Sequence, residues 1–207
     1  YFTILSTYHL HIYCFMIQYT KVIFMKLMQG RPNDNNRLDV EIKTYDLLDE
    51  LNIPFWRVDH DATATMEECI GVDEILGITI CKNLFLCNRQ KTNFYLLMMP
   101  GDKPFKTKDF SKLLGVSRLS FAPEEFMEEF LHIKPGSVSI MGLMNDKDNR
   151  VQLVIDKAVI DDEFIGCHPC ANTSSLKIKT GDILEKFLPR VNHKPIIVDL
   201  PKHDENE

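Results

Sequence analysis

The sequence predicts an α+β domain: a mixed, largely antiparallel sheet surrounded by helices. Short apolar runs of strand length, at residues 55–60, 79–87, 94–99, 151–155 and 164–167, are interspersed with segments of helical period. Two of these runs, 79–87 and 94–99, are separated only by the polar stretch 88–93, whose length and composition make an antiparallel hairpin. The elements follow no strict βαβ alternation and no internal repeat, which argues against a doubly wound parallel sheet. With 207 residues, 44% hydrophobic and 26% charged, the chain suits one domain with a substantial core.

Residues 1–20 contain no Asp, Glu, Lys or Arg, so a membrane span or a signal sequence has to be weighed. His9, His11, Thr3, Ser6, Thr7 and Gln18 are scattered through the stretch, and it lacks a basic leading region and a small-residue cleavage site. The expectation is no membrane segment, with the domain starting near Met25 or Met28 and the preceding residues forming an extension. Residues 1–37 are assigned to this extension and a polar linker at 29–36, residues 38–200 to the folded domain, and 201–207 to an acidic tail.

Within the domain, Leu38, Ile42, Tyr45, Leu48 and Leu51 recur at helical spacing, and Pro54 limits that helix. Residues 55–60 form a strand. Thr65 with Glu68 makes a capping box opening a helix over 66–70. After the hairpin, Thr107 caps a helix through Leu114 that Gly115 closes, and Pro123 opens another through Phe130. In the latter, Phe126, Met127 and Phe130 make the core face, while Glu124, Glu125, Glu128 and Glu129 make a solvated face rather than a metal site. Residues 145–149 are a turn, since they lack the glycine and terminal glutamate of a calcium loop. Strands follow at 151–155, 158–160, 164–167 and 176–178, then a helix capped by Thr180 through Leu188 and a last strand over 195–200.

The formal charge of −6 argues against a broad footprint on nucleic acid, which needs clustered Lys and Arg, although gripping only the end of an RNA escapes that objection. Six scattered cysteines, mostly in apolar runs, suit a reducing cytoplasm rather than a disulfide scaffold. No metal cage or phosphate-cradling loop is visible, so neither a metal nor a cofactor is expected.

Two stretches carry the functional reading. Residues 165–176 interrupt apolar segments with a glycine, a proline and short hydroxyl and amide side chains, where backbone amides can face a ligand. Lys82 lies inside the apolar run 79–87. Burying its ammonium without partners is expensive, so the strand must end in a cleft, deliver the lysine to an anion, or let it reach water from a sheet edge. His60, a lone histidine at a strand end, is read as structural.

Taken together, Lys82-Asn83-Leu84-Phe85-Leu86, Arg118-Leu119-Ser120-Phe121-Ala122, Pro135-Gly136-Ser137-Val138-Ser139, Gly142-Leu143-Met144-Asn145-Asp146 and Gly166-Cys167-His168-Pro169 with Asn172-Thr173 give a sequence that resembles the YbaK/ProX-type aminoacyl-tRNA deacylases. That family is related to the editing domain of bacterial prolyl-tRNA synthetases, and the resemblance, which runs over 38–200, is nearest the free-standing alanyl-tRNA(Pro) deacylase branch. It implies a trans-editing ester hydrolase acting on the acceptor end of mischarged tRNA(Pro), with prolyl-tRNA synthetase as a further partner and cysteinyl-tRNA(Pro) as the alternative substrate. By the same resemblance Lys82 holds the phosphate or ribose of the terminal adenosine, with Asn83 beside it. Gly166, His168 and Pro169 set the pocket and orient the ester carbonyl, and Asn172 and Thr173 support the loop or contact the terminal nucleotide. A dedicated general base is not implied, because the 2′-hydroxyl of the tRNA helps to activate the water. Cys167 and Cys170 depart from the residues expected there.

Two rival classes are kept. Cys167-His168-Pro169-Cys170 has the C-x-x-C spacing of a thiol–disulfide switch, although a short β-like run follows it where a redox site would open a helix. A non-catalytic module that binds tRNA or a synthetase would keep the fold without turnover.

Overall fold

The computed structural model describes residues 25–34, 36–62 and 66–202, with backbone only for 66–70. The α+β class stands, with the strands divided between two sheets. The first is antiparallel throughout, in the order β1 (Met28–Gln29), β2 (Phe55–Asp59), β8 (Ser174–Lys179), β7 (Phe164–Cys167). The second runs β5 (Ser120–Phe121), β3 (Lys82–Cys87), β4 (Phe94–Met99), β6 (Val151–Asp156), β9 (Ile196–Val198). In it the hairpin β3–β4 pairs Lys82 with Met99 through Cys87 with Phe94, as the polar connection predicts, while β4–β6 and β6–β9 are parallel. The main core is shared by both sheets and includes Phe55, Phe85, Phe94, Leu96, Leu153, Leu176 and Phe187. A smaller cluster around Leu86, Leu97, Phe110 and Val154 lies on the other face of the second sheet.

Helix α1 (Asp39–Glu50) sits where the periodicity predicts it, but its buried face is rotated. Leu38 is 61% exposed, whereas Glu41 is buried with Thr44, Tyr45 and Leu48. The reason is electrostatic: Glu41 Oε1 accepts from Arg37 at 3.1 Å and from the Tyr45 hydroxyl at 2.7 Å, so the carboxylate has a charged and a neutral donor inside. Of the stretch expected to be a linker, residues 29–31 are tied to the domain: Gln29 pairs with Trp56, Gly30 N–H donates to the Phe55 carbonyl at 2.9 Å, and Arg31 bridges Asp46 and Asp49.

Helix α2 (Met66–Leu76) extends six residues beyond the expected end, while Thr65 of the proposed capping box lies outside the described residues. Helix α3 (Thr107–Leu113) begins one residue after its N-cap Lys106, so Thr107 is not the cap. Likewise Pro123 is the N-cap of α4, which comprises Glu124–Phe126 and the π-helical Met127–Leu131; its four glutamates are exposed. A 3₁₀ segment, Ile140–Met144, is capped by the Ser139 hydroxyl.

Residues 158–160, expected as a strand, belong to helix α5 (Lys157–Asp161). The Asp156 carboxylate accepts from Ala158 N–H at 3.0 Å, and this cap turns the chain out of β6 into a helix. The final helical stretch, α6, comprises Thr180–Asp182, the π-helical Ile183–Phe187 and Leu188–Arg190. Its N-cap is Lys179, and the Thr180 hydroxyl instead donates to the Asp162 carbonyl at 2.6 Å. Residues 145–149 form the expected turn, held by Asp146, which accepts from the N–H groups of Arg150 and Val151. The residues with the membrane or signal question, 1–20, and most of the acidic tail lie outside the described residues. Among the described residues no helix is long and apolar enough to cross a membrane.

Candidate active site

The segment 78–81 joins the two sheets and brings the two singled-out stretches together. Cys81 N–H donates to the Gly166 carbonyl at 3.0 Å, which fixes the first residues of β3 against β7. Gly166 is required by contact: a Cβ there would lie 2.8 Å from Ile80 Cα and 3.0 Å from its Cγ1. Gly166→Ala therefore pushes on backbone, not on a pliable side chain. It should lower stability by about 1–3 kcal/mol, read as a shifted urea midpoint at unchanged slope.

Lys82 opens β3 half-buried, and its ammonium donates to the Lys103 carbonyl at 3.1 Å. Lys103 is itself buried, with Nζ 2.7 Å from Asp156 Oδ2, at 8% and 0% side-chain exposure. The Asn83 amide donates to the Cys81 carbonyl at 3.2 Å, while its Oδ1 is enclosed and has no hydrogen-bond partner among the described residues. A buried amide oxygen without a donor is costly by about 1–3 kcal/mol.

His168 follows β7. Its main-chain carbonyl accepts from the Ser139 hydroxyl at 2.6 Å, and its Nδ1 lies 2.8 Å from the Ser174 carbonyl, which makes Nδ1 the protonated nitrogen and leaves Nε2 an acceptor. His60, read as structural from the sequence, is a neighbour, with ring centroids 6.2 Å apart. Its Nδ1 lies 2.7 Å from the Asp61 carbonyl and its Nε2 2.9 Å from the Ser175 hydroxyl, so Ser175 donates to His60 while standing 3.4 Å from His168 Nδ1. Burial, with the nearby His60 as a further cause, lowers the pKa of His168. Since the native state resists the second proton, its stability contribution is complete above the ordinary value of 6.5 and is lost as pH falls from there through the depressed native value. Urea midpoints measured between pH 8 and pH 5 should fall on acidification, with a shallower fall in His168→Gln.

Pro169 is buried, its carbonyl 3.4 Å from the Thr44 hydroxyl, and Cys170 has a left-handed backbone with φ of 62°. Asn172 lies against the 135–139 stretch: a Cβ added to Gly136, where φ is 84°, would meet the Asn172 amide nitrogen at 3.6 Å. Thr173 is exposed, and its carbonyl accepts from His60 N–H at 3.0 Å. Gly166, His168, Asn172 and Thr173 are thus brought together with Ser139 and Gly136, and Cys81 ties this cluster to Lys82 and Asn83.

Periodicity gave no sign of the ionic network behind the loop. Arg37 donates to Asp59, Asp34 and Glu41, Arg57 bonds Asp59, and the Ser174 hydroxyl donates to Asp59 Oδ1 at 3.0 Å. Burial works against the Asp59 charge, but the two guanidiniums outweigh it and hold its carboxyl below the usual range. Charged residues near a polar linker look solvent-exposed in one dimension; only folding encloses them.

The redox alternative is corrected. Cys167 ends β7, Cys170 sits in a left-handed turn, and a turn followed by strand β8 comes next where a redox site would open a helix. Burial pushes the Cys170 thiol up to about 12 and raises Cys167 as well, so neither is a reactive thiolate. Among the described residues no three His, Cys, Asp or Glu side chains are grouped to hold a metal. A cleft of about 360 Å³ on the far side of 78–81 is lined by Asp102, Asp162 and Glu163 among others, and neither Lys82 nor His168 lines it. Its carboxylates suit it poorly to an RNA end.

The profile of the aminoacyl-tRNA editing domain matches residues 60–186. The prolyl-tRNA editing protein ProX of Acetoanaerobium sticklandii is 32% identical over 141 residues, covering 68% of this chain and 85% of that protein. A prolyl-tRNA synthetase associated domain-containing protein 1 from Danio rerio is 29% identical over 163 residues, covering 78% of this chain and 88% of the relative. A crystal structure described as a candidate trans-editing enzyme for prolyl tRNA synthetase superposes with a TM-score of 0.60 over 82% of this chain and 100% of that one, at 14% identity, which speaks for the fold alone.

Proposed function

The chain belongs to the aminoacyl-tRNA editing domain family, and from that premise we propose that it is a trans-editing hydrolase that deacylates mischarged tRNA(Pro), with alanyl-tRNA(Pro) as its substrate. The observation that supports the reading is the Cys81–Gly166 hydrogen bond, which holds the main chain at the start of β3, where Lys82 and Asn83 lie, against β7, the strand that leads into the loop bearing His168. An aminoacyl ester is already activated, so the protein has mainly to position it, admit water and stabilise the developing oxyanion.

In this reading Lys82 holds a phosphate or the ribose of the terminal adenosine, with Asn83 beside it. The main chain around Gly166, His168 and Pro169 frames the ester carbonyl. The neutral His168 ring, oriented by Ser174, shapes the pocket, while Asn172 and Thr173 brace the loop or touch the last nucleotide. Water oxygen adds to the carbonyl carbon, the bond to the ribose oxygen breaks, and a proton passes to that oxygen, releasing free amino acid and tRNA. The 2′-hydroxyl assists the water, so no general base of the protein is invoked. The reaction belongs in the cytoplasm, with prolyl-tRNA synthetase as a partner, and free thiols at Cys81, Cys87, Cys167 and Cys170 agree with a reducing compartment.

The test is hydrolysis of alanyl-tRNA(Pro) beside cysteinyl-tRNA(Pro), prolyl-tRNA(Pro) and alanyl-tRNA(Ala). Selective loss of alanine from tRNA(Pro) is expected. Preference for the cysteinyl ester would move the substrate, and tRNA binding without turnover of any ester would favour the non-catalytic module.

A further inference from the structure

We infer that the outer face of α3 together with Arg118 is a docking surface for RNA backbone phosphates, reading the acceptor stem while the 3′ end lies at Lys82; the inference rests on the deacylase reading for the identity of the RNA. The chain carries −6 overall, yet the stretch 103–118 holds five cations against the single acid Asp109. Lys103 is committed internally to Asp156. Lys108, Lys112 and Arg118 are exposed and line one shallow concavity of about 330 Å³ with Ser111 and Val116. None of the three makes an ion pair or a side-chain hydrogen bond among the described residues.

That arrangement is unfavourable for the protein alone. Lys108 and Lys112 stand four residues apart on α3, where like charges repel, and Arg118 adds a third charge to the same hollow. The helix end accounts for Lys112 alone, through its last carbonyls. The opposite face of α3 packs Phe110 into the second cluster, so the helix is fixed on the sheet and its cations are presented in a set position. Convergent cations with no internal partner complement a polyanion.

The sheet sets the distance. Arg118 precedes β5, whose Ser120 pairs with Cys87 at the far end of β3 from Lys82. Six strand residues span about 17 Å, which places the hollow away from the terminal adenosine and in reach of the helical stem behind it. A patch confined to three cations is also compatible with the net negative charge, which rules out a wide footprint.

The experiment measures binding of uncharged tRNA(Pro) by fluorescence anisotropy from 50 to 300 mM KCl, and deacylation of both alanyl-tRNA(Pro) and a short alanylated CCA-ended oligonucleotide. The proteins are wild type, K108Q/K112Q, K108Q/K112Q/R118Q and Lys82→Ala. The triple variant should bind tRNA roughly tenfold more weakly near 0.1 M salt and lose about 3 from the slope of log K against log salt. Its KM for the full tRNA should rise in proportion, with kcat and turnover of the oligonucleotide unchanged. K108Q/K112Q, which alters only exposed helix positions, should show about two-thirds of the slope change and guards against a folding artefact. Wild-type affinity and slope in both variants would overturn the surface while leaving the deacylase reading intact, and would leave an acidic protein as the partner of this face. Absence of ester turnover by wild type would instead remove the deacylase reading, and the slope change would still decide the RNA surface.

Discussion

Lys82→Ala is expected to lower kcat/KM for alanyl-tRNA(Pro) by about 100-fold, with the fold retained. A hydrogen bond to a charged group is worth about 1.5–3 kcal/mol, which corresponds to roughly 10- to 150-fold. Among the described residues the Lys82 ammonium makes one hydrogen bond, to a main-chain carbonyl, and the residue is half-buried. Its removal therefore leaves no enclosed charge, and the urea midpoint should stay close to that of wild type. Much of the loss should appear in KM, because an anchor at the terminal nucleotide acts before and during the reaction alike. Lys82→Arg should recover little, since a planar fork does not occupy the position of a compact ammonium. Wild-type turnover by Lys82→Ala would move the anchor elsewhere.

Asp156→Asn should be the most damaging single substitution for stability, costing about 3–5 kcal/mol because it strands a buried ammonium. Lys103 has its only ion pair among the described residues with Asp156, 2.7 Å away and inaccessible to water. Asparagine still caps helices well, so the contact to Ala158 N–H can survive and the loss reports the ion pair. Lys103→Met added to Asp156→Asn should restore much of the stability, since the charge requiring a partner is gone. That double variant should also keep turnover, because Lys82 uses the main-chain carbonyl of residue 103 and not its side chain. Urea unfolding and the ester assay on the same samples check both parts. A cost below about 1 kcal/mol for Asp156→Asn would place Lys103 in contact with water.

The elements that sequence located well are those whose cause is local. The β3–β4 hairpin, α1 and the glutamate face of α4 follow from period, turn composition and charge pattern. The strand expected at 158–160 failed because a short apolar triplet has no period of its own. The Asp156 side chain, which is buried and holds Lys103 across 53 residues of chain, decided for a helix there. Lys82 was legible since an ammonium in an apolar run always needs an explanation. His60 and Ser175 were not: 115 residues separate them, and each alone is an ordinary polar residue at a strand end.

By itself the sequence determined the class of fold and the family, because composition, spacing and motif order are properties of the chain. Only the tertiary structure decided that the strands form two sheets, that Gly166 is where the segment joining them packs against β7, and that Lys103, Asp156, Arg57 and Glu41 are interior charges. The physical reason is that a charge is tolerated inside only through partners distant in sequence, and which partners meet is settled by sheet register and packing rather than by any local pattern.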